Sequence, residues 1–389
     1  MVTEVRDRYR SWIVLHGTRN IARRSILSTR TRSLCPALAA VLAVAAILIP
    51  GALPAQQLPN ASWEELWRLE LSRGASAPLV WADSLLVVAS LDRNIHFVAP
   101  GTPPHVAWKE NFEGGFEAAP VVTEDHVFLS ETRSGAHLVA LDRRTRQIAW
   151  KAEAGDLVAP PILDEGRIYT VSSIGEVHSY GTGGTPQWTT ELKSRVVSAP
   201  IVLGTTLVIA ASNGKLFALD AASGVVQDSI DTEAGPIWGH PVVRAGSPST
   251  ALYATLEGQL LEVDGDLEIL QRRSFPSRFY AGPVAAGEIL FLVGQEGTLW
   301  AYDWPAANVV WQRALPGTFR APPTVAQGVV AAGDLAGTFY VVDRASGDLL
   351  WRTDLDGAIT SQPLARGGTL YAVTEHGTLY AFRPVPGGR

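Results

Sequence analysis

The chain has 389 residues, of which 47% are hydrophobic and 18% are charged, so it can bury a large core, and its composition excludes a disordered protein. The 36 Gly and 25 Pro predict many turns and many short elements. The net charge of −6 combines a basic start with an acidic remainder, and it gives the body of the protein no attraction for nucleic acid.

Residues 1–55 are predicted to be a signal peptide. The first 34 residues contain eight Arg and two acidic residues, and the stretch Leu34–Ala55 has no charged side chain. A basic region, an apolar core and small residues before Gln56 are typical of a secretory signal cleaved after Ala55. The alternative is an uncleaved membrane anchor, because the apolar stretch is almost long enough to span a bilayer. We therefore expect an exported protein, in the periplasm or cell envelope of a bacterium.

Cys35 is the only cysteine, and it precedes the apolar core. A lipoprotein signal would need a cysteine just after that core, so we do not expect lipidation at Cys35. Cleavage would leave a chain without cysteine, which excludes disulfides, thiolate metal sites and a cysteine nucleophile. Membrane contact is expected only through the N-terminal segment or through a partner.

After a short linker at residues 56–63, a repeat region is predicted over residues 64–389. A Pro followed by apolar residues recurs every 39 to 42 residues. The prolines are Pro78, Pro120, Pro160, Pro200, Pro241, Pro283, Pro322 and Pro363. A period this regular indicates one supersecondary unit per repeat.

Each repeat is predicted to contain four short antiparallel strands. An apolar run such as Leu207–Ser212 follows the first strand, and a turn that usually contains Gly leads into a third strand such as Leu216–Asp220. The fourth strand often begins at Trp. Four strands per unit, repeated radially, predict an all-β, eight-bladed β-propeller. We expect Trp67–Leu71 to supply the fourth strand of the last repeat, beside Leu379–Arg383, and so to close the ring.

Residues 140–150, Ala-Leu-Asp-Arg-Arg-Thr-Arg-Gln-Ile-Ala-Trp, resemble the tryptophan-docking motif of the pyrroloquinoline-quinone (PQQ) propeller repeat, and residues 341–351 are a second copy. The resemblance covers residues 64–383 and implies that tryptophans pack one blade on the next. These docking residues are Trp67, Trp108, Trp150, Trp188, Trp311 and Trp351. The motif is degenerate in the fifth repeat, where Gln271 lies near the Trp position.

Two groups of proteins with this repeat differ in function. Quinoprotein dehydrogenases are periplasmic enzymes that bind PQQ and Ca²⁺, whereas the propeller component of the outer-membrane β-barrel assembly machinery is not an enzyme. The chain resembles the second group in layout, because it lacks large insertions and cannot supply the adjacent Cys pair that the enzymes place against the quinone. The final strand, Gly377-Thr-Leu-Tyr380, also resembles that group. The chain departs from that group in one respect, because it lacks a lipobox, the lipoprotein signal with a cysteine just after the apolar core.

The resemblance implies a non-enzymatic cell-envelope scaffold that binds a protein partner and assists outer-membrane protein assembly, with the β-barrel assembly core as a candidate partner. We expect no cofactor, no metal and no catalytic residue. The alternatives are a PQQ-dependent oxidoreductase and a carbohydrate-binding or sensory propeller. The sequence lacks the zinc-protease motif His-Glu-x-x-His, the motif Gly-x-Ser-x-Gly and the P-loop.

Acidic residues recur near the turns between the second and third strands, and propeller geometry should bring these turns to one face. They are Asp92, Glu131, Glu257, Glu296, Asp334 and Glu375. One interpretation is ordinary polar turn residues. The other is an acidic rim that binds a cation or a basic partner.

The loops before the repeated Pro residues should share that face. Those entering the fourth to seventh blades carry the Arg, Trp and Tyr that dominate protein interfaces, and we predict that they bind the protein partner. The predicted contact residues are Lys193, Arg195, Trp238, His240, Arg278, Phe279, Tyr280 and Arg320. Packing between blades is the alternative for Phe279 and Tyr280. The loops before Pro120 and Pro160 are acidic instead, so one side of the face should be basic and aromatic and the other acidic.

Overall fold

A computed structural model describes residues 63–71, 77–132, 136–244 and 246–385. The predicted signal peptide and residues 56–62 of the predicted linker lie outside the described residues. Within the described ranges every regular element is a β-strand. No helix with the length and hydrophobicity needed to span a bilayer is found in this part of the chain.

The strands form eight antiparallel sheets, one for each predicted blade, which confirms the all-β propeller. Neighbouring strands in the sequence pair within each blade. First strands of several adjacent blades contact each other, as expected for the strands that line the central channel.

The chain enters the ring with β1 (Trp63–Glu70), which belongs to the last blade. Blades 1 to 4 follow in order. Blade 1 contains β2 (Val80–Ala82), β3 (Leu85–Ala89), β4 (Asn94–Ala99) and β5 (His105–Asn111). Blade 2 contains the short β6 (Gly115–Phe116), β7 (Val121–Val122), β8 (His126–Thr132), β9 (His137–Asp142) and β10 (Ile148–Glu153). Blade 3 contains β11 (Ile162–Asp164), β12 (Arg167–Val171), β13 (Glu176–Gly181) and β14 (Pro186–Glu191). Blade 4 contains β15 (Ile201–Leu203), β16 (Thr206–Ala210), β17 (Lys215–Asp220) and β18 (Val226–Asp231).

The second half of the ring repeats the same arrangement. Blade 5 contains β19 (Val242–Arg244), β20 (Ser247–Ala254), β21 (Gln259–Asp264) and β22 (Ile269–Ser274). Blade 6 contains β23 (Val284–Ala286), β24 (Ile289–Val293), β25 (Thr298–Asp303) and β26 (Asn308–Ala314). Blade 7 contains β27 (Thr324–Ala326), β28 (Val329–Gly333), β29 (Thr338–Asp343) and β30 (Leu349–Asp354). Blade 8 contains β31 (Leu364–Arg366), β32 (Thr369–Val373) and β33 (Thr378–Pro384).

The ring is closed by the pairing of the two ends of the repeat region. Strand β1 is the outermost strand of blade 8 and runs antiparallel to β33, with Trp67 opposite Ala381 and Leu69 opposite Leu379. The Leu71 N–H donates a hydrogen bond to Gly377 O at 2.9 Å. This confirms the predicted closure, which removes a free edge from β33.

The hydrophobic core lies between the blades. It divides into eight clusters, and each cluster joins the apolar side chains of two adjacent blades. The second and third strands are packed on both faces, so they are buried along almost their whole length. The fourth strands alternate instead, since only part of each is covered. Burial on both faces explains why the inner strands read as continuous apolar runs rather than alternating ones.

Three of the predicted docking tryptophans make one recurring contact with the next blade. Their indole N–H groups donate to backbone carbonyls in its turn between the third and fourth strands. The pairs are Trp150 with Thr182 O (3.1 Å), Trp188 with Ala221 O (3.2 Å) and Trp311 with Arg344 O (2.9 Å). Each indole covers a glycine of that turn; a Cβ at Gly347 would lie 2.5 Å from the Trp311 ring. The tight contact and the positive φ of Gly184, Gly224 and Gly347 favour Gly at this position of the three turns.

The other three predicted docking tryptophans pack at interfaces, and among the described residues they do not form this hydrogen bond. Trp108 stacks on Phe97 with ring centres 3.9 Å apart, and the Arg146 guanidinium of blade 2 lies over its ring. Trp351 joins the core shared with blade 8, where it contacts Phe382. Trp67 joins the core between blades 8 and 1.

Candidate partner-binding site

The loops that enter the blades and the turns between second and third strands lie on one face of the propeller. Backbone hydrogen bonds join such a turn to the loop that precedes its blade. The Ser212 N–H donates to Arg195 O at 2.8 Å in blade 4. The Gln295 N–H donates to Arg278 O at 2.8 Å in blade 6. The two sets of residues selected in the sequence are therefore held together on this face.

One position in the entry loops, four residues before the first strand of a blade, surrounds the mouth of the central channel. In blades 2 to 8 it is occupied by Glu117, Val158, Val197, Trp238, Tyr280, Arg320 and Thr360. Trp238 and Tyr280 meet edge to face, with ring centres 5.5 Å apart and planes at 89°. The Arg320 guanidinium lies 5.5 Å from the centre of the Tyr280 ring. Blades 5 to 7 thus place two aromatic rings and a cation in one row.

A cavity of about 430 Å³ lies against this row. Its wall includes Trp238, Tyr280 and Arg320, together with Thr360 of blade 8 and Glu117 of blade 2. The Trp238 side chain is 42% exposed. A concave site of this size, with aromatic walls and a few polar groups, is typical of a binding pocket.

His240 lies in the wall of the same cavity, where its ring is open to the cavity but surrounded by protein. The Ala199 N–H of the preceding entry loop donates a hydrogen bond to His240 Nδ1 at 2.9 Å. Since Nδ1 accepts, the neutral ring carries its proton on Nε2. Desolvation by the surrounding protein lowers the pKa of His240 to about 4, so the ring is neutral near pH 7.

The remaining predicted contact residues divide into exposed and buried ones. Lys193, Arg195 and Arg278 are exposed on the face, and Tyr280 is half-buried in the cavity wall. Phe279 is fully buried in the core between blades 5 and 6, where it packs against Phe275 and Trp300. The prediction that Phe279 contacts a partner is therefore wrong. Adjacent residues of this loop point to opposite sides, so Phe279 packs inward while Tyr280 faces the channel.

The predicted basic sector is partly offset by glutamates of an entry loop and of the neighbouring turns. Glu233, Glu257 and Glu296 are exposed on the same blades. Glu296 accepts hydrogen bonds from Ser277 Oγ at 2.5 Å and from the Arg278 N–H at 3.4 Å. Burial alone would raise the pKa of Glu296, but these hydrogen bonds lower it, so the carboxylate stays ionised beside Arg278. The sector is consequently mixed in charge, with an aromatic centre.

Two of the acidic residues predicted on this face belong to the fold instead. Glu131 is fully buried and lies 3.2 Å from His137 Nδ1 and 3.8 Å from Lys151 Nζ. Asp334 is 1% exposed and accepts hydrogen bonds from the Thr338 and Ala336 N–H groups of its own turn. Neither is a rim residue. Across the described ranges, no group of three or more His, Cys, Asp or Glu is placed to hold a metal ion.

The interface between blades 5 and 6 contains a polar cluster that the sequence interpretation missed. Trp304 of the blade 6 turn is buried and donates through Nε1 to Glu262 Oε2 of blade 5 at 2.7 Å. Glu262 is fully buried; its Oε1 accepts from Arg244 Nη1 at 2.8 Å and from Thr250 Oγ1 at 3.0 Å. Gln271, which stands at the position of a docking tryptophan, lies opposite Glu262 in the sheet, so Trp304 packs at the interface where blade 5 lacks that tryptophan.

At the interface between blades 4 and 5, a buried apolar side chain takes the place of the missing docking tryptophan. Its fourth strand carries Asp228 at the Trp position, and Leu267 of the blade 5 turn is 2% exposed in the core between blades 4 and 5. The sequence signal for both interfaces was a large apolar residue in the turn between the third and fourth strands of the next blade: Trp304 after blade 5 and Leu267 after blade 4.

The repeat region matches a protein-family model described as outer membrane protein assembly factor BamB, over residues 57–161, 134–268, 270–336 and 308–388. The chain belongs to the BamB family. Over 120 residues it is 33% identical to the BamB proteins of Escherichia coli K12 and of Salmonella typhimurium LT2. These matches span 30% of this chain and 30% of each relative.

Solved structures support the fold of this BamB-family chain. The crystal structure of BamB from Moraxella catarrhalis superposes with a TM-score of 0.68 at 17% identity, covering 83% of this chain and all of the other. The quinohemoprotein alcohol dehydrogenase of Comamonas testosteroni superposes with a TM-score of 0.65 at 12% identity, covering 85% of this chain and 78% of the enzyme. At these identities the likeness shows the fold alone.

Proposed function

We propose that this BamB-family propeller is a non-enzymatic scaffold of the bacterial cell envelope that binds a protein partner and assists the assembly of outer-membrane proteins. Family membership supports the assembly role, since the E. coli and S. typhimurium relatives are named outer membrane protein assembly factors. The basic and apolar N-terminal segment supports export. The partner is a protein of the envelope, with the β-barrel assembly core as the first candidate.

The row formed by Trp238, Tyr280 and Arg320 carries this proposal. Trp, Tyr and Arg are the residues that most often dominate binding energy, and here they lie together around a cavity. Backbone hydrogen bonds to the adjacent turns hold these loops, so a partner would meet a surface that is already ordered. Exposed Arg195 and Arg278 extend the surface around the row.

A PQQ-dependent oxidoreductase is the competing function, because a quinohemoprotein dehydrogenase has the same fold. Its cofactor is held between flat groups, but the two aromatic rings at this channel mouth stand at 89° and cannot enclose a planar quinone. The described residues also offer no acidic cluster of the kind that holds Ca²⁺. The mouth therefore does not fit PQQ with Ca²⁺. Dye reduction with alcohols or sugars in the presence of both, or a micromolar PQQ complex, would overturn this assignment.

The experiment that tests the proposed scaffold uses single variants in the native host. Trp238→Ala, Arg195→Glu, Arg278→Glu and Arg320→Glu are each combined with crosslinking and affinity capture from host membranes. We expect partner capture to fall about 30-fold, which corresponds to about 2 kcal/mol of binding, at an unchanged melting temperature. The level of outer-membrane β-barrel proteins should fall with it.

Arg144→Glu is the matched control. Arg144 is exposed in the turn between β9 and β10, at the opposite end of a blade from the entry loops. Capture by this variant should equal that of the natural protein. Loss of capture here, with normal capture by the four face variants, would place the binding surface on the other face.

A further inference from the structure

Arg320 presents an uncompensated cation at the rim of the channel cavity. Its side chain is exposed, and within the described part of the chain it forms no ion pair with a carboxylate. The Tyr280 ring lies under the guanidinium at 5.5 Å and restricts its orientation. A weakly hydrated, oriented guanidinium is well suited to bind a carboxylate through paired hydrogen bonds.

Two further hydrogen-bond donors, the N–H of one side chain and the hydroxyl of another, belong to residues that line the same cavity. His240 offers its Nε2–H, because Nδ1 is occupied by the Ala199 N–H. The Thr360 Oγ1 is buried in the cavity wall and has no hydrogen-bond partner among the described residues. A buried hydroxyl without a partner is unfavourable, and an oxygen atom of a ligand would satisfy it.

The remaining polar groups of the cavity wall, Gln362 and Glu117, leave the available hydrogen-bond donors on one side of the cavity. Gln362 donates through Nε2 to Pro323 O at 2.9 Å, so it holds the wall rather than offering that donor to a ligand. Glu117 lies in the blade 2 part of the wall and already has an interaction partner of its own. The donors are therefore on the side of blades 5, 7 and 8. The exposed indole of Trp238 provides an apolar surface beside them.

We propose that this cavity receives an acidic side chain of the protein partner: Arg320, His240 Nε2–H and Thr360 Oγ1–H bind its carboxylate, and Trp238 contacts an apolar residue next to it. This inference rests on the proposed scaffold function and names the chemistry of its partner. The recognised element is an Asp or Glu beside an aromatic or large aliphatic residue. Charge complementarity at the cavity favours it, since the exposed Arg320 forms no ion pair with a carboxylate among the described residues.

The test uses the purified propeller and two blocked dipeptides, Ac-Phe-Glu-NH₂ and Ac-Phe-Gln-NH₂. Blocking both ends leaves the glutamate side chain as the one carboxylate. Binding is followed by NMR of the indole Nε1–H signals, with that of Trp238 assigned from its loss in Trp238→Phe. We expect a saturable shift of this signal with a millimolar Kd for the Glu dipeptide, and a Kd at least about 10-fold weaker for the Gln dipeptide.

Variants then separate the three donors. Arg320→Gln should weaken the Glu dipeptide about 10-fold or more. His240→Asn keeps an acceptor for the Ala199 N–H but loses Nε2–H, and Thr360→Val loses only the hydroxyl; each should weaken binding about 3-fold or more. Arg144→Gln on the opposite face is the control and should bind as the natural protein does.

Two results would overturn the proposal. One is equal binding, or no binding, of the Glu and Gln dipeptides; the other is an Arg320→Gln variant that binds the Glu dipeptide as the Arg144→Gln control does. Dipeptide binding does not depend on the assembly role. Normal outer-membrane protein levels in a host lacking the chain would therefore refute the proposed function and leave the pocket intact, whereas failure with the dipeptides would refute the pocket alone.

Discussion

Two tryptophans of blade 6 pack against its two neighbours in opposite directions. Trp311, on the fourth strand, reaches forward and donates to the backbone carbonyl of Arg344 in blade 7. Trp304, in the turn before that strand, reaches back and donates to the Glu262 carboxylate of blade 5. The first arrangement recurs at two other interfaces of the ring, whereas the second replaces a docking tryptophan that blade 5 lacks.

The difference lies in what the buried indole N–H requires. A turn carbonyl is supplied by the backbone whatever the sequence, so forward docking needs only a Trp and a small turn residue. Backward docking brings the N–H to a side chain, and a buried carboxylate must be compensated by further partners. Arg244 and Thr250 provide that compensation. The backward interface therefore depends on several side chains at once and should be the more sensitive of the two to substitution.

The largest expected effect comes from removing each tryptophan. Trp304→Ala should lower the free energy of unfolding by about 5 kcal/mol, because it leaves a large cavity and takes a hydrogen bond from the buried Glu262. Trp311→Ala should cost about 3 kcal/mol, since Trp311 lies closer to solvent and leaves only a backbone carbonyl unpaired. Denaturant midpoints at equal slope measure both. An equal or larger cost for Trp311→Ala would contradict the comparison.

The next effect concerns the carboxylate. Glu262→Leu should cost about 3 kcal/mol, because Arg244 and the Trp304 N–H lose their shared acceptor. The double variant Glu262→Leu with Arg244→Leu should recover a large part of this loss, and the coupling is read from a double-mutant cycle. Asp348→Ala is the control, since its ion pair with Arg313 at the forward interface is exposed and should contribute less than about 1 kcal/mol. If the losses in free energy of unfolding caused by Glu262→Leu and Arg244→Leu simply add in the double variant, the two residues do not stabilise the fold together.

A smaller effect distinguishes the two turns. Gly347 has φ of +73° and lies under Trp311, so Gly347→Ala should cost about 2 kcal/mol through backbone strain and contact with the indole. Ala307 holds the equivalent position in the turn between the third and fourth strands of blade 6, and it also has a positive φ. Because blade 5 has Gln271 in place of a docking tryptophan, no such tryptophan covers Ala307. Ala307→Gly should change stability by less than about 1 kcal/mol. Thermal unfolding of the pair tests this, and a similar penalty for both substitutions would argue against the contact as the cause.

The smallest expected effect concerns His240, whose neutral ring accepts a hydrogen bond from the Ala199 N–H of the preceding entry loop. The pKa of His240 is lowered to about 4 in the folded protein, below its ordinary value of about 6.5, so the unfolded chain binds more protons between these values. The contribution of His240 to stability is therefore complete above pH 6.5 and is lost as the pH falls toward 4. Because its ring is open to the cavity, we expect no more than about 1 kcal/mol. His240→Asn should show a smaller fall in melting temperature over this interval, and an identical fall would exclude His240 as the titrating group.

The fold was largely predictable because its signals are local and repeated. The proline spacing and the strand patterns repeat eight times, and β1 could be recognised as a fourth strand without its three predecessors. The candidate site was predictable only in part. The loops could be selected by residue type, but Phe279 and Tyr280 could not be separated, since adjacent aromatic residues in an irregular loop have no period that shows which one faces inward.

Strand order, blade number and ring closure were thus determined by the sequence alone, because pairing at fixed periods and the removal of free edges leave few alternatives. Contacts between side chains far apart in the sequence were decided only by the tertiary structure. Glu262 and Trp304 are separated by a blade boundary, and Trp238, Tyr280 and Arg320 come from three different blades. The curvature of the ring brings these residues together, and it results from packing between blades rather than from any pattern within one.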